Sequence, residues 1–547
     1  MPVIYTFEAK SIQSYILDSS KLRDMVGASE LIEDITAGLL DKVLQALKLQ
    51  PDQDIEFSRK AGGAFIAILQ SLEHAKNLRD LWTFTVRTCL PGLEFVQGFQ
   101  TYQKHSEILS AEKATSQQKM ADRNRLYPVY PIAGPLVARG PRTGAPAIIE
   151  KPNPNNEGNE RLDKRTIIKR RFLERAEILA LEEKLNLKTP YQDKLVWPKN
   201  LDPEDNQAEE QNFPTLGENR YIGVIHADGN GLGQLLMQVR EDIKDIPQHY
   251  TKVFRRLSEI IEQATVAATR QATQAELVEK AVLRHNADGN SFQVMPARPL
   301  VLGGDDLTMI VRGDLAIAFT EKFLTAFEEH TETLFSQFKQ EYKNQGINLH
   351  IPTGLTACAG ISFVKASQPF YLAYHLAESL CKTAKTRSKQ TLSEDGRVPA
   401  SLAFHRITTS VIDDYETVCQ RELTTPSGLL SMQPYAAGKI QPKEAGIFPR
   451  LQDLDDLRHL LAEDKISNGA VRELINLLYL STERAERAYK RWRENMQKTQ
   501  KNGLREFDNI LNNLLGGDGD QNLSILTAEE NKRTPLADAL AWNSIAA

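Results

Sequence analysis

The sequence predicts an α+β chain of several domains, and three observations carry that expectation. At 547 residues it exceeds what a single hydrophobic core usually serves, so three or four domains are expected. Apolar runs of strand length alternate with longer runs of helical period. A weak internal repeat, strand then helices then a Gly-Gly hairpin, occurs near the N-terminus and again after residue 220.

Taken in order, Val3 to Ile16 reads as a strand and turn, followed by a helical run to Leu49. Ile55-Glu56-Phe57-Ser58 leads to the hairpin Gly62-Gly63-Ala64-Phe65 and the apolar run Ile66 to Leu69. From about Lys151 to Asn219 the chain is polar and poorly periodic. Pro152 to Asn159 and Asp202 to Glu210 read there as loops or mobile segments. Within this stretch Lys164-Arg165, Lys169-Arg170-Arg171 and Arg175 form a basic helical run, expected to be mainly a solvated face, with an RNA or partner contact as the alternative. Tyr221 to Ala227 reads as a strand ending at Asp228, then Gly229-Asn230-Gly231-Leu232-Gly233, then a helix from Leu235. A helical insertion runs from about Ile243 to Leu283, and the segment around Asp288 is a turn. Two apolar runs, Arg298 to Leu302 and Leu307 to Val311, flank Gly303-Gly304-Asp305-Asp306, which suits a tight hairpin. Gly354 to Val364 reads as a strand, and Tyr371 to Lys385 as a helix. After about Pro442 the tail is helical over Leu451–Leu461, Ser467–Gln500 and Leu504–Leu515. Gly516-Gly517-Asp518-Gly519-Asp520 lacks the spaced ligands and closing Glu of a calcium loop.

Composition removes several classes of function. There is no run of eighteen apolar residues, so no transmembrane helix is expected. The first residues lack the basic and apolar regions of a signal peptide, so a cytoplasmic location is expected. The four cysteines (Cys89, Cys358, Cys381, Cys419) are far apart without Cys-x-x-Cys and read as free buried thiols in a reducing compartment. A net charge of −5 argues against a strong free-standing nucleic-acid binder. The alternating glycines after Asp228 lack the spacing of a dinucleotide fingerprint.

The chemistry concentrates in three carboxylates. Adjacent Asp305 and Asp306 repel each other and are costly to desolvate, a cost that a divalent cation relieves. Asp228, at a neighbouring strand end, can share that cation. Oxygen ligands of this kind suit Mg²⁺ or Mn²⁺, and a two-metal site stabilises both attacking and leaving oxygens. Gly303 and Gly304 leave the backbone open to phosphates. Lys385, Arg387 and Lys389 close a helix, where they suit the dipole and, beside an acidic site, a triphosphate.

These motifs, in this order, resemble the catalytic palm of the large subunit of type III CRISPR effector complexes: strand-Asp228, the Gly-Gly-Asp-Asp hairpin, Ala359-Gly360-Ile361-Ser362, and a helix ending Ala384-Lys385. The GGDEF diguanylate cyclases have a similar palm. Phe7 to Ile16, Lys21-Leu22-Arg23-Asp24 and Gly27-Ala28-Ser29 resemble the CRISPR family's first palm, and Arg142 to Ala147 its connecting domain. The resemblance spans roughly residues 3–405. It implies two ferredoxin-like palms, one degenerate (1–120) and one catalytic (216–410), a connecting domain (121–215), and a C-terminal helical domain (411–547). It further implies synthesis of cyclic oligoadenylates from ATP, with Asp228, Asp305 and Asp306 holding two Mg²⁺ or Mn²⁺ ions. Gly303, Gly304, Gly229, Asn230, Lys385 and Lys389 would contact the nucleotide. The implied partners are guide-RNA effector subunits, both a small helical subunit and backbone subunits, and target RNA. Two features depart from the family. No cysteine lies between Cys89 and Cys358, so no zinc is expected, and no histidine is followed by Asp, so no HD-type nuclease is expected. Adenine over guanine rests on the resemblance alone. A non-catalytic scaffold and a templated polymerase remain the alternatives.

Overall fold

Val3–Lys10 forms β1, whose alternate residues face two different cores. In the computed structural model it is followed by α1 (Ile12–Leu17), α2 (Leu22–Ile35), α3 (Gly38–Ala46), β2 (Ile55–Ala61), β3 (Ala64–Leu69), α4 (Leu72–Cys89), β4 (Glu94–Thr101) and α5 (Ile108–Asp122). The strands form an antiparallel sheet in the order β2-β3-β1-β4, the βαββαβ arrangement of a ferredoxin-like domain. Phe7 and Phe65 stack in its core and Trp82 packs edge-on against both, its ring 5.3 Å from that of Phe7. The structure describes residues 1–546 except 20, 125–133, 153–157, 176–178, 192, 202–211, 216–219, 287, 369, 409–412, 442–447, 464 and 516–531. Most of the polar stretches expected as loops, and the run Gly516 to Asp520, lie outside the described residues.

The connecting segment contains β5 (Ala147–Pro152), β6 (Asn159–Asp163), α6 (Lys164–Arg175), α7 (Ala180–Leu185) and β7 (Lys194–Val196). Helix α6 corrects the expectation of a solvated basic face. Lys169 is buried and binds Asp18 and the Tyr15 carbonyl, while Arg170 bridges Asp24 and Glu160. Charge-assisted pairs of this kind, out of water, hold the helix against the first sheet's domain. Gly27 of α2 lets α6 this close, because a Cβ there would lie 2.2 Å from the Lys169 carbonyl oxygen. Only Lys164, Arg171 and Arg175 of the basic run stay exposed.

The second sheet is built from β8 (Tyr221–Gly229), then α8 (Leu232–Asp242), α9 (Tyr250–Glu276), β9 (Val282–His285), β10 (Ser291–Val294), β11 (Ala297–Gly303), β12 (Asp306–Arg312), α10 (Ala316–Lys343), β13 (Ala357–Lys365), α11 (Phe370–Ser388) and β14 (Ser401–Arg406). Its order, β11-β12-β8-β13, repeats that of the first sheet and is extended by β14 and then by β17 (Tyr435–Ala436). Helix α9 fills the expected helical insertion, and strands β7, β10 and β9, almost wholly outside it, make a separate small sheet.

The two sheets correspond residue by residue at their hairpins. Strand β2 bulges between Phe57 and Arg59, and β11 between Pro299 and Val301. The closing pairs are Ala61–Ala64 and Gly303–Asp306. The counterpart of Gly303-Gly304-Asp305-Asp306 is therefore Ala61-Gly62-Gly63-Ala64, one residue earlier than expected. Ala64 faces Glu8, as Asp306 faces Asp228. The first copy's hairpin carries no carboxylate, but the strand facing it keeps one, Glu8, which accepts a hydrogen bond from Lys119 of α5 at 2.7 Å. Burial works to raise the Glu8 carboxyl, but the charge and hydrogen bond of Lys119 outweigh it and hold it low. The two copies also brace each other. Ser29 of α2 donates to the carbonyl of Leu300 in the β11 bulge, and Arg255 of α9 donates to the Phe57 carbonyl beside the β2 bulge at 2.8 Å.

The C-terminal part comprises α12 (Tyr415–Val418), β15 (Thr424–Thr425), β16 (Gly428–Leu429), β17 (Tyr435–Ala436), α13 (Leu451–Ala462), α14 (Asn468–Leu480), α15 (Thr482–Thr499), α16 (Lys501–Leu515) and α17 (Leu536–Ala546). The expected single helix over Ser467–Gln500 is broken at Ser481, whose backbone is extended. Cys358 and Cys381 are buried, whereas Cys89 and Cys419 are only half-buried, and all four are free. No helix among the described residues is long and apolar enough to cross a membrane.

Glu328 of α10 ties the C-terminal part to the second sheet by accepting from the backbone amide of Lys439 at 2.8 Å. Burial pushes its carboxyl up to about 7. Its unfolded-state value is near 4.3, so the folded protein binds the extra proton and stability falls as pH rises from about 4.3 to 7. Glu328→Gln keeps an acceptor for the amide and removes the charge. It should match or exceed the parent by about 1–2 kcal/mol at pH 8 and lose that advantage near pH 5. Denaturant midpoints at the two pH values check this, and a variant less stable than the parent at pH 8 would contradict it.

Candidate functional site

The antiparallel pairing of β12 with β8 sets Asp306 directly opposite Asp228. Residues opposite each other on a sheet share a face, so both carboxylates point the same way. Asp305, in the turn, joins them, and carboxylate oxygens of the three residues lie within 4.8 Å of one another. Gly229 makes room for this, since a Cβ there would lie 2.9 Å from Asp305 Cβ. Gly304 adopts a φ of 61° with open space around it, and its carbonyl accepts from Thr265 of α9 at 2.6 Å. Gly303 faces the first sheet's domain: the nearest atom to a Cβ built on it is Gly62 Cα, at 3.7 Å. The two hairpins therefore meet tip to tip.

The charges at this point do not balance. Burial first, and then the Asp228 charge, pushes the Asp305 carboxyl up to about 6. Burial, then Asp305 and Asp228, pushes Asp306 well above the usual range. Two cations work the other way. Lys385 of α11 forms an ion pair with Asp228, and Arg59, reaching over from β2, lowers both hairpin carboxyls. Burial disfavours the Lys385 charge, but Asp228 more than restores it. His226, two residues before Asp228, is held low by burial and adds no positive charge. Three hard oxygen ligands so close, two of them short of counter-charge, form a donor set suited to Mg²⁺ or Mn²⁺.

The structure separates the remaining sequence-derived candidates. Asn230 is buried, its amide group donating to Thr356 Oγ1 at 2.9 Å and to Cys358 Sγ at 3.3 Å, so its side chain fixes the turn to β13 rather than facing a ligand. Lys389 lies exposed past the end of α11 and has no ion pair among the described residues. Arg387 points away from the carboxylates, into a separate cleft. Arg59 and Glu8 escaped the sequence reading. Glu8 was legible in principle, because it stands opposite the first hairpin just as Asp228 stands opposite the second.

A ferredoxin-like sheet with acidic residues at its central strand end and hairpin is the palm of nucleotide polymerases and cyclases. Residues 221–393, about a third of the chain, match the family model for the second palm domain of Cas10/Cmr2, and the chain is Cas10-like in carrying that domain. Among solved structures, it resembles a chain of the crystal structure of a Csm1–Csm4 cassette in complex with cA4. That match has 14% identity and a TM-score of 0.44, and covers 100% of this chain and 69% of that one. A chain of the same cassette in complex with one ATP gives 13% identity and a TM-score of 0.45 over the same shares. At these scores both are likenesses only. No curated protein matches.

Proposed function

We propose that the chain is a metal-dependent nucleotidyl transferase that makes cyclic oligoadenylates from ATP, as the large subunit of a type III CRISPR-like effector. The observation that carries this reading is the carboxylate triad, set in a palm of the Cas10/Cmr2 type with Lys385 beside it.

Asp228, Asp305 and Asp306 would hold two Mg²⁺ or Mn²⁺ ions, which supply charge neutralisation at the phosphates and a lowered pKa for the attacking hydroxyl. In the reaction the 3′-hydroxyl of one ATP attacks the α-phosphorus of another. The new phosphodiester forms as the bond to pyrophosphate breaks, and the hydroxyl proton leaves to solvent. Gly304, without a side chain and open to solvent, leaves the hairpin backbone accessible to phosphate. Lys385, paired with Asp228 in this structure, would be free to contact the triphosphate if that carboxylate held a cation, and Lys389 and Arg59 would be further cations for the same phosphates. Guide-RNA effector subunits and target RNA are the partners this reading implies. The Csm1 likenesses come from cassettes with Csm4.

The test is incubation of the purified chain with each of the four NTPs and Mg²⁺ or Mn²⁺, with products read by mass spectrometry. Cyclic adenylates that require the metal are the expected result. If no product forms either alone or with effector subunits and target RNA, although nucleotide binds, the chain is a scaffold. Primer extension on a template would make it a polymerase.

A further inference from the structure

Helix α11 has two functional faces. Cys381, Ala384, Lys385 and Ser388 face the sheet and the carboxylates. Ser379, Lys382, Thr383, Thr386, Arg387 and Gln390, spaced three or four apart, form the opposite face and line a cavity of about 1110 Å³. The far wall is the β15–β16 hairpin, the segment up to Pro434, and Lys532 with Arg533.

Among the described residues, cations outnumber carboxylates in the lining of this cavity. Lys382, Arg387, Lys532 and Arg533 line it, against the carboxylates of Asp414 and Glu416. Asp414 is already engaged, accepting from the Thr417 amide at 2.9 Å as the cap of α12. Arg387, half-buried, has no ion pair or hydrogen bond among the described residues. Burial and then the neighbouring charge of Arg533 push its guanidinium below its ordinary value. The floor is rigid. Asp538, fully buried, accepts from Ser431 Oγ at 3.1 Å, the Met432 amide at 2.9 Å, Gln433 Nε2 at 3.0 Å and Tyr435 Oη at 2.6 Å. Arg533 is fixed by the Ser431 carbonyl at 3.0 Å and the Gln433 carbonyl at 2.6 Å. A cleft with a fixed floor and converging guanidinium and ammonium groups suits a phosphate-bearing molecule.

We infer that this cleft is a second nucleotide site, in which Arg387, Lys382 and Lys532 hold the phosphate of a mononucleotide or short oligonucleotide on the side of α11 opposite the carboxylate triad. The site stands independently of the catalytic reading, since it uses none of the triad.

The test is equilibrium binding of fluorophore-labelled ATP and of labelled ApA to the full chain in EDTA, which keeps cations off the triad. Binding that rises as salt is lowered is expected, together with a weakening of about tenfold or more in Arg387→Glu and a smaller loss in Arg387→Gln. The combined Asp305→Ala and Asp306→Ala variant should bind as the parent does. Preference for ATP would mark terminal phosphates as the ligand group, and equal binding a phosphodiester. The inference is overturned if neither probe binds the parent, if both Arg387 variants bind as tightly as the parent, or if binding disappears with the triad. Among the described residues Arg387 has no partners to lose, so unchanged melting of Arg387→Gln separates a binding defect from misfolding.

Discussion

Asp305→Ala combined with Asp306→Ala should abolish product in the nucleotide assay if the proposed function holds, a loss of at least about a thousandfold, the scale seen when a principal charge-stabilising group is removed. The same variant is as stable as its parent or more stable without metal. Burial, followed by the charge of Asp228, holds Asp305 up at about 6, so the folded state binds a proton that the unfolded state has already released. Stability therefore falls as pH rises from the ordinary carboxylate value to about 6, and the whole penalty is present above it. Alanine removes the penalty. The variant should melt higher than the parent at pH 8 in EDTA, and the two should converge near pH 4. Mg²⁺ or Mn²⁺ should raise the parent's melting temperature and leave the variant's unchanged, because only a ligand bound by the folded state stabilises it. Calorimetry under the four conditions checks both parts. A parent more stable than the variant at pH 8 without metal would sink the electrostatic account, and retained product would sink the catalytic one.

Gly360→Ala is the substitution expected to cost the most stability at the site. A Cβ on Gly360 would lie 2.0 Å from the Ala377 carbonyl oxygen and 2.5 Å from the Cys381 amide nitrogen, both backbone atoms of α11. Backbone in the middle of a packed helix cannot rotate out of the way, so the whole helix must lift from β13. Overpacking on this scale costs roughly 3 kcal/mol. The lift also moves Lys385, which α11 carries to Asp228. Denaturant unfolding should show a lower midpoint with an unchanged slope, and nucleotide turnover should fall in the fraction that stays folded. A midpoint within about 0.5 kcal/mol of the parent, the range of an ordinary surface substitution, would mean that the helix sits further from the sheet than described.

Much of this arrangement was legible because hairpins fix their own register. Once Gly303 to Asp306 is taken as a turn, the apolar runs on either side must pair, and the Asp pair must stand at the tip. That Asp228 lies opposite Asp306 is a tertiary fact, since β8 joins the hairpin across a long insertion. What stayed hidden has physical reasons. Strands β7, β9 and β10 have only three or four residues each, too few to show a period, and β7 pairs with a strand almost a hundred residues away. Arg59 looks like any exposed cation on an edge strand until the two halves dock. The basic run of α6 has the composition of a solvated face, and Asp18 and the buried Asp24, both remote in sequence, draw it inward together with the nearby Glu160. Arg387 and Lys385 are two residues apart, and the helical twist alone sends them to opposite sides.

The paired bulges at Phe57–Arg59 and Pro299–Val301 also bear on the chain's ancestry. A bulge inserts an extra residue at one rung of a ladder, and two copies of a sheet have no physical need to place it at the same distance from a turn. Their coincidence, together with the shared strand order and the Glu8–Lys119 pair standing where Asp228–Lys385 stands, is the mark of an internal duplication. In the first copy Gly63 and Ala64 occupy the positions of Asp305 and Asp306, which spares that copy the burial of two more carboxylates. The two halves have thus divided the labour of one ancestral hairpin: one carries the charge, and the other closes the space in front of it.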